Sequence, residues 1–293
     1  MMKITAKSFA KINLFLEIIS KNANNYHIID SLMAFIDIYD VIEVKKSSQQ
    51  KSKIDLEIVG EQDLQFLGKK NDNILIKTTN LMAKKFNFVP NIEIKLKKNI
   101  PIAAGLGGGS SNAATLIEIL IKLYNLKISK QELQEVAIEI GSDVPFCLHK
   151  KIAKIGGIGE KITNIEINQP QLHLLIINPK IPVDTGKIFQ NYQLPENNKQ
   201  NNKQNNQESD LISIIQGRKN HLQLVAEEFC PQIRKILENL RLQRNIISAK
   251  LSGSGATCFG VFDKKNDLEV AFYNLKAIFP EFYIKKSYLL YKI

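Results

Sequence analysis

The residues with the most chemical promise lie between Ile100 and Leu116, in the stretch IPIAAGLGGGSSNAATL. Gly105, Leu106, Gly107, Gly108, Gly109, Ser110 and Ser111 follow one another there. Glycine has no Cβ, so its backbone N–H can approach a ligand closely and the residue takes positive φ without strain. Over Asn112 to Tyr124, the residues Ala113, Leu116, Ile117, Leu120 and Tyr124 recur at helical spacing and predict a helix beginning where the serines end. Upstream, Ile92, Ile94 and Leu96 alternate in NIEIKLKK and predict a strand feeding the loop. A strand, a run of bare amides and a helix N-terminus form an anion site. Neither of the two standard phosphate loops is present. No lysine follows the glycines as a Walker A loop requires, and Ser110 stands where a Rossmann turn needs its third glycine. A glycine-rich turn without a ligand is the alternative; four glycines, two hydroxyls and a helix start of small residues favour phosphate.

Three further stretches can carry chemistry. In AKINLFL, the residues Ile12, Leu14 and Leu16 share one face of an extended strand, which puts Lys11 and Asn13 together on the other. Taken alone, that pair reads as the solvent face of a half-buried sheet. In GSDVPF, Asp143 follows a helix end, and Pro145 is expected to hold Val144 extended. SGSGAT, Ser252 to Thr257, is either a tight hairpin or a second wall of a ligand pocket. Four scattered histidines assemble into no Ser-His-Asp or Cys-His set. A phosphate loop, one lysine and one aspartate are, however, the parts of phosphoryl transfer, which needs charge cradled and a hydroxyl positioned and deprotonated.

The elements that must position these residues read as α/β. Alternation at Ile12 to Ile18, at Ile36 and Ile38, and at Ile54 to Ile58 predicts strands through the first sixty residues. A helix is expected over Asn73 to Phe86. Another starts at Ser129 with Glu132 three residues on, a capping box, and closes at Gly141. KIGGIGEKI reads as a hairpin near residue 165, and LHLLIINP as a buried strand opening a second half. Helical patterns follow in DLISIIQG, HLQLVAEEF and PQIRKILENL before the second glycine turn. The thirteen residues from Glu196 to Glu208 contain only Glu, Asn, Lys and Gln, a composition expected to remain a disordered surface loop.

The 293 residues are 44% hydrophobic, enough for one large domain or two ordinary ones. No apolar run reaches the ~18 residues of a membrane helix. INLFLEII is too short and too interrupted for a signal peptide. Cys147, Cys230 and Cys258 match no metal spacing, so a reduced cytoplasmic protein without a structural metal is expected. The net charge of +11 raises the question of nucleic acid, but only four of the 40 basic residues are Arg and the lysines are spread along the chain. Lys, Asn and Ile share AT-rich codons, which accounts for the charge without a polyanionic partner. No nucleic acid and no membrane are therefore expected as partners, and the sequence carries no signal for an oligomeric state.

PIAAGLGGGSSNAA, together with AKINLFLEI, the Tyr26-His27 pair, GSDVPFCL and LSGSGATCFG in that order, resembles the GHMP kinase superfamily over nearly the whole chain. The resemblance implies a two-domain α/β architecture. An N-terminal domain of the ribosomal-protein-S5-domain-2 type would span residues 1–165, and a C-terminal ferredoxin-like domain residues 166–293. It implies an ATP-dependent kinase for an alcohol, using Mg²⁺, and in the branch that these motifs resemble most the substrate is a small molecule with a cytidine diphosphate group. Asp143 would take the proton from the substrate hydroxyl, with Lys11 beside it keeping it ionised and steering the hydroxyl. Gly105 to Ser111 would wrap the ATP phosphates. Tyr26 and His27 would hold the cytosine, and Asn13 would help position the substrate near the reacting centre. Where the family usually has Asp-Gly before Tyr-His, this chain has Asn24-Asn25, and Asn tolerates positive φ better than most residues.

Overall fold

The computed structural model describes residues 2–47, 52–60, 72–167, 171–194 and 210–293, so the polar tract 196–208 lies outside the described residues. The chain divides into two compact units: Met1–Lys11, Ile38–Ile102 and Gly107–Lys150 form one, and Ile12–Asp37, Ala103–Leu106 and Lys151–Ile293 the other. Two long strands, β1 (Lys3–Lys21) and β2 (His27–Lys46), contribute to both.

In the first unit, β3 (Lys53–Gly60) is followed by α1 (Ile74–Lys85) and β4 (Asn91–Lys98). β3 runs parallel to β4, from Lys53 opposite Asn91 to Gly60 opposite Lys98, so α1 belongs to a βαβ crossover. β4 pairs antiparallel with β2, from Val41 opposite Lys97 to Lys46 opposite Ile92. After β4 come α2 (Gly108–Tyr124), α3 (Lys130–Ile140) and α4 (Val144–His149). The alternation seen in NIEIKLKK is real: Ile92, Ile94 and Leu96 are buried while Glu93 and Lys95 are exposed. α3 carries the expected capping box, with the Ser129 hydroxyl accepting from the Glu132 amide and the Glu132 carboxylate accepting from the Ser129 amide. Those bonds to Ser129 hold the Glu132 carboxyl below its ordinary range.

The second unit contains β5 (Ala153–Gly156), β6 (Lys161–Asn164), β7 (His173–Asn178), α5 (Thr185–Asn191), α6 (Leu211–Gly217), α7 (Gln223–Phe229) and α8 (Gln232–Arg241). β8 (Ile246–Leu251), β9 (Cys258–Phe262), α9 (Lys265–Ile278) and β10 (Tyr283–Leu290) complete it. β5 and β6 form the hairpin read from KIGGIGEKI. The order β10-β7-β9-β8, antiparallel throughout, with helices between β7 and β8 and between β9 and β10, is the ferredoxin-like βαββαβ arrangement. Every residue of β9 and all but the first of β7 are buried, as the apolar run LHLLIINP requires.

Three local expectations need correction. α2 begins at Gly108, four residues before the expected start at Asn112, because Gly107 at φ 61 turns the chain and the two glycines after it adopt helical geometry. Val144 is not extended before Pro145. It is the first residue of α4, and Pro145 occupies the first turn, where a missing N–H costs nothing. Lys11 and Asn13 do not face solvent, since both are buried and the apolar residues around them are buried on both faces of β1.

Asn73, 8% exposed, caps α1 by accepting a hydrogen bond from the Leu75 amide at 2.9 Å. Asn73→Ala removes that bond and should lower the unfolding free energy by about 1 kcal/mol, whereas Asn73→Ser should retain most of it. Urea titration of both variants checks this, and equal losses would show that the side chain acts through packing instead.

Candidate active site

α2 starts on bare backbone. Its N-cap, Gly107, has no side chain to accept from the first-turn amides, in contrast to Asn73 at α1 and Ser129 at α3. The amides of Gly108, Gly109 and Ser110 have no intrahelical acceptor, and the positive end of a 17-residue helix adds to them. Gly107 is required there for a second reason. A Cβ at that position would lie 2.6 Å from Lys11 Cγ and 2.8 Å from its Cε, so the lysine stem runs directly beneath the loop. The Lys11 ammonium ends 3.1 Å from Asp143 Oδ2. The lysine side chain is 5% exposed and the aspartate 27%, which leaves the carboxylate open to an incoming group.

Two neighbours hold this arrangement within the same unit. The Ser111 hydroxyl donates to the Phe9 carbonyl at 2.6 Å, fastening α2 to the strand that carries Lys11. The Cys147 amide donates to the Asp143 carbonyl, one turn along α4. The Cys147 thiol is pushed far above its ordinary range by burial and then by the Asp143 charge, so it stays protonated and inert.

In the second unit, Asn13 is fully buried; its side-chain amide donates to Ser31 Oγ at 2.9 Å and its backbone amide to Ser252 Oγ at 3.3 Å. The Ser252 hydroxyl in turn donates to the Gly105 carbonyl at 2.9 Å. Gly105 sits at φ 75, and a Cβ on it would overlap the Ser252 carbonyl. The Thr257 amide donates to the Ala104 carbonyl. SGSGAT is therefore the turn joining β8 to β9, and it braces the first part of the glycine loop. Of the two alternatives for that stretch, the tight hairpin is the one observed.

The β1–β2 turn presents Tyr26 and His27. The side-chain oxygen of Asn22 accepts from the amides of Asn24 and Tyr26, and Asn25 takes φ 64, so asparagine does fill the left-handed position. Tyr26 is 60% exposed. His27 is half-buried, its ring 5.5 Å from that of Phe189 and 6.0 Å from that of Tyr192. Among the described residues His27 Nε2 is buried without a hydrogen-bond partner. Phe189 and Tyr192 escaped sequence reading because nothing in TGKIFQNY ties it to a turn more than 150 positions earlier.

Residues 73–151 match the GHMP kinases N terminal domain and residues 200–281 the GHMP kinases C terminal domain. A 4-diphosphocytidyl-2-C-methyl-D-erythritol kinase of Caldanaerobacter subterraneus subsp. tengcongensis is 35% identical, over 98% of this chain and 97% of its own. One from a Thermoanaerobacter species is 36% identical, over 98% of this chain and 97% of its own. A crystal structure of 4-(cytidine 5'-diphospho)-2C-methyl-D-erythritol kinase superposes with a TM-score of 0.77 at 23% identity, covering 98% of this chain and 99% of its own.

Burial, and then the charge of Lys21, hold the His27 imidazole below its ordinary value of 6.5. The unfolded chain thus binds this proton at higher pH than the folded one, and stability is lost as pH falls below 6.5. An NMR titration should place the His27 midpoint under 6.5; a midpoint above it would contradict the half-buried neutral ring.

Proposed function

Because the chain belongs to the GHMP kinase family, among its 4-diphosphocytidyl-2-C-methyl-D-erythritol kinases, we propose that it moves the terminal phosphate of ATP onto the 2-hydroxyl of that cytidyl alcohol. The reaction belongs to the non-mevalonate, methylerythritol phosphate route to isoprenoids. The observation that supports it best is the Lys11–Asp143 pair, 3.1 Å apart, with the lysine stem beneath an uncapped helix start.

Asp143 accepts the hydroxyl proton as the oxygen attacks phosphorus. Lys11 orients that carboxylate and brings a positive charge to the place where negative charge is transferred. The loop from Gly105 to Ser111 receives the ATP phosphates on backbone amides, which cost little reorganisation because the helix already aligns them. The nucleotide would carry Mg²⁺ in on its phosphates, and the chemistry that the ion would supply there is neutralisation of their charge. The donor set suits that delivery: among the described residues no group of three His, Cys, Asp or Glu forms a dedicated cage. Within the loop Ser110 is the hydroxyl we assign to the ion, since that of Ser111 is spent on Phe9.

Tyr26 offers a flat exposed ring to the cytosine face. The unpartnered His27 Nε2, on a neutral imidazole, suits the polar edge of the base. Asn13, two residues along β1 from Lys11, we assign to positioning the substrate. Binding energy from the cytidine diphosphate half then positions the hydroxyl against Asp143.

An ADP-release assay with the cytidyl substrate, mevalonate and homoserine tests the reading. ADP should appear only with the cytidyl substrate, and no ADP from any of them would refute a kinase. Asp143→Asn should leave ATP binding near wild type while turnover falls by roughly 10²–10⁴; weakened ATP binding with unchanged turnover would make Asp143 a ligand contact instead. Tyr26→Ala should raise KM for the cytidyl substrate by roughly ten- to a hundredfold, the stacking contribution of one base, and leave KM for ATP unmoved. Equal changes in both would mean that Tyr26 is a packing residue of the turn.

A further inference from the structure

Two charged residues interrupt apolar alternation in neighbouring strands. On β2 the buried positions run Ile36, Ile38, Asp40, Ile42, Val44, and on β4 they run Ile92, Ile94, Leu96, Lys98. Asp40 has no exposed surface and Lys98 is 3% exposed. Such a pair costs desolvation that its mutual attraction repays only with good geometry and further hydrogen bonds. Here the geometry is good. Lys98 Nζ donates to Asp40 Oδ2 at 2.6 Å and to the Ile100 carbonyl at 2.7 Å. The amides of Asn99 and Ile100 donate to Asp40 Oδ1 at 2.7 and 2.8 Å. The Asn112 side-chain amide donates to Oδ2 at 2.9 Å.

Those partners are not scattered. Residues 98–100 are where the chain leaves β4 for the glycine loop, and Asn112 lies in the second turn of α2, where the loop has just ended. One buried carboxylate therefore ties both ends of a loop whose residues Gly107 to Gly109 have no side chains to fix them. Lys98 also lies close beneath the first turn of the helix: a Cβ on Gly108 would be 3.2 Å from its Nζ and 3.0 Å from Ile100 Cγ2. Burial holds the Lys98 ammonium below its ordinary range, an effect that the Asp40 carboxylate offsets only in part. Asn112 Oδ1 has no hydrogen-bond partner among the described residues, so the side chain contributes its donor alone.

We propose that Asp40 is the positioning residue of the phosphate loop, setting through Lys98, Asn99, Ile100 and Asn112 where the first amides of α2 stand for a nucleotide phosphate. The proposal rests on the kinase reading above. It assigns Asp40 no contact with substrate. Its function is to spare the loop the entropy of finding its shape each time a nucleotide binds, which is affinity gained by preorganisation.

Asn112→Ala cuts one bond of the clamp and leaves the Lys98–Asp40 pair intact; Asn112→Ser is the milder form should the alanine variant not fold. Val136→Ala, a truncation of a fully buried side chain on α3, serves as the control for simple destabilisation. Binding of ADP with Mg²⁺ is measured by calorimetry for each. The expected result is a Kd weakened roughly tenfold in the Asn112 variant, equivalent to about 1.4 kcal/mol, and within twofold of wild type in the Val136 variant. In the assay, KM for ATP should rise and kcat should change much less. Equal Kd shifts in the two variants, or none in the Asn112 variant, would overturn the proposal while leaving the kinase reading in place. A wild-type protein that binds no ADP would overturn both.

Discussion

A helix that begins on glycine has nothing of its own to satisfy its first amides. That constraint at α2 organises what surrounds it. The loop must stay bare so that an acceptor can reach the amides of Gly108, Gly109 and Ser110, so its shape has to be imposed from outside. Lys11 lies beneath Gly107, Ser111 is fastened to Phe9, and Asp40 ties the strand end to the second helical turn. Gly105, on the other side of Leu106, is held by Ser252 and through it by Asn13. Each support comes from a buried residue on a strand, in a short turn or on the helix itself. This is how a flexible-looking sequence acquires a rigid backbone.

The Lys11–Asp143 pair gains from the same economy. Lys11 occupies a strand position that reads as solvent-facing and is buried instead, and its charge reaches Asp143 just ahead of α4. Pro145 in the first turn of α4 helps fix where that aspartate stands, because its φ is preset for the helix. The groups proposed to handle the phosphate are thus carried by rigid elements. Those proposed to handle the base, Tyr26 and His27, sit at a turn whose backbone is held by the Asn22 side chain.

Much of this was legible in the sequence, and the failures are instructive. The glycine loop and the capping box at Ser129 follow from local patterns, whereas the ferredoxin-like second half and the kinase family follow from the resemblance that the ordered motifs carry. The start of α2 leaves no mark in the sequence, because glycines carry no apolar periodicity to announce a helix. Val144 is helical where the sequence predicts it extended, because the usual bias before proline yields at a helix N-terminus. Lys11 and Asn13 looked exposed because strand alternation describes one buried face, and β1 is buried on both. The Asp40–Lys98 clamp left a trace, a charge in each of two otherwise apolar buried registers, but only the structure pairs them. Phe189 and Tyr192 left none, since their approach to His27 depends on tertiary folding alone.

The claim on which the account turns is that the first amides of α2 receive phosphate. The most direct measurement is an amide-resolved NMR titration of the protein with ADP and Mg²⁺, comparing the uncapped start of α2 with the capped start of α3. The account predicts large shifts for the amides of Gly107 to Ser111 and none for those of Ser129 to Glu132, whose helix is already capped. Saturable shifts confined to other segments, with Gly107 to Ser111 unmoved, would contradict it.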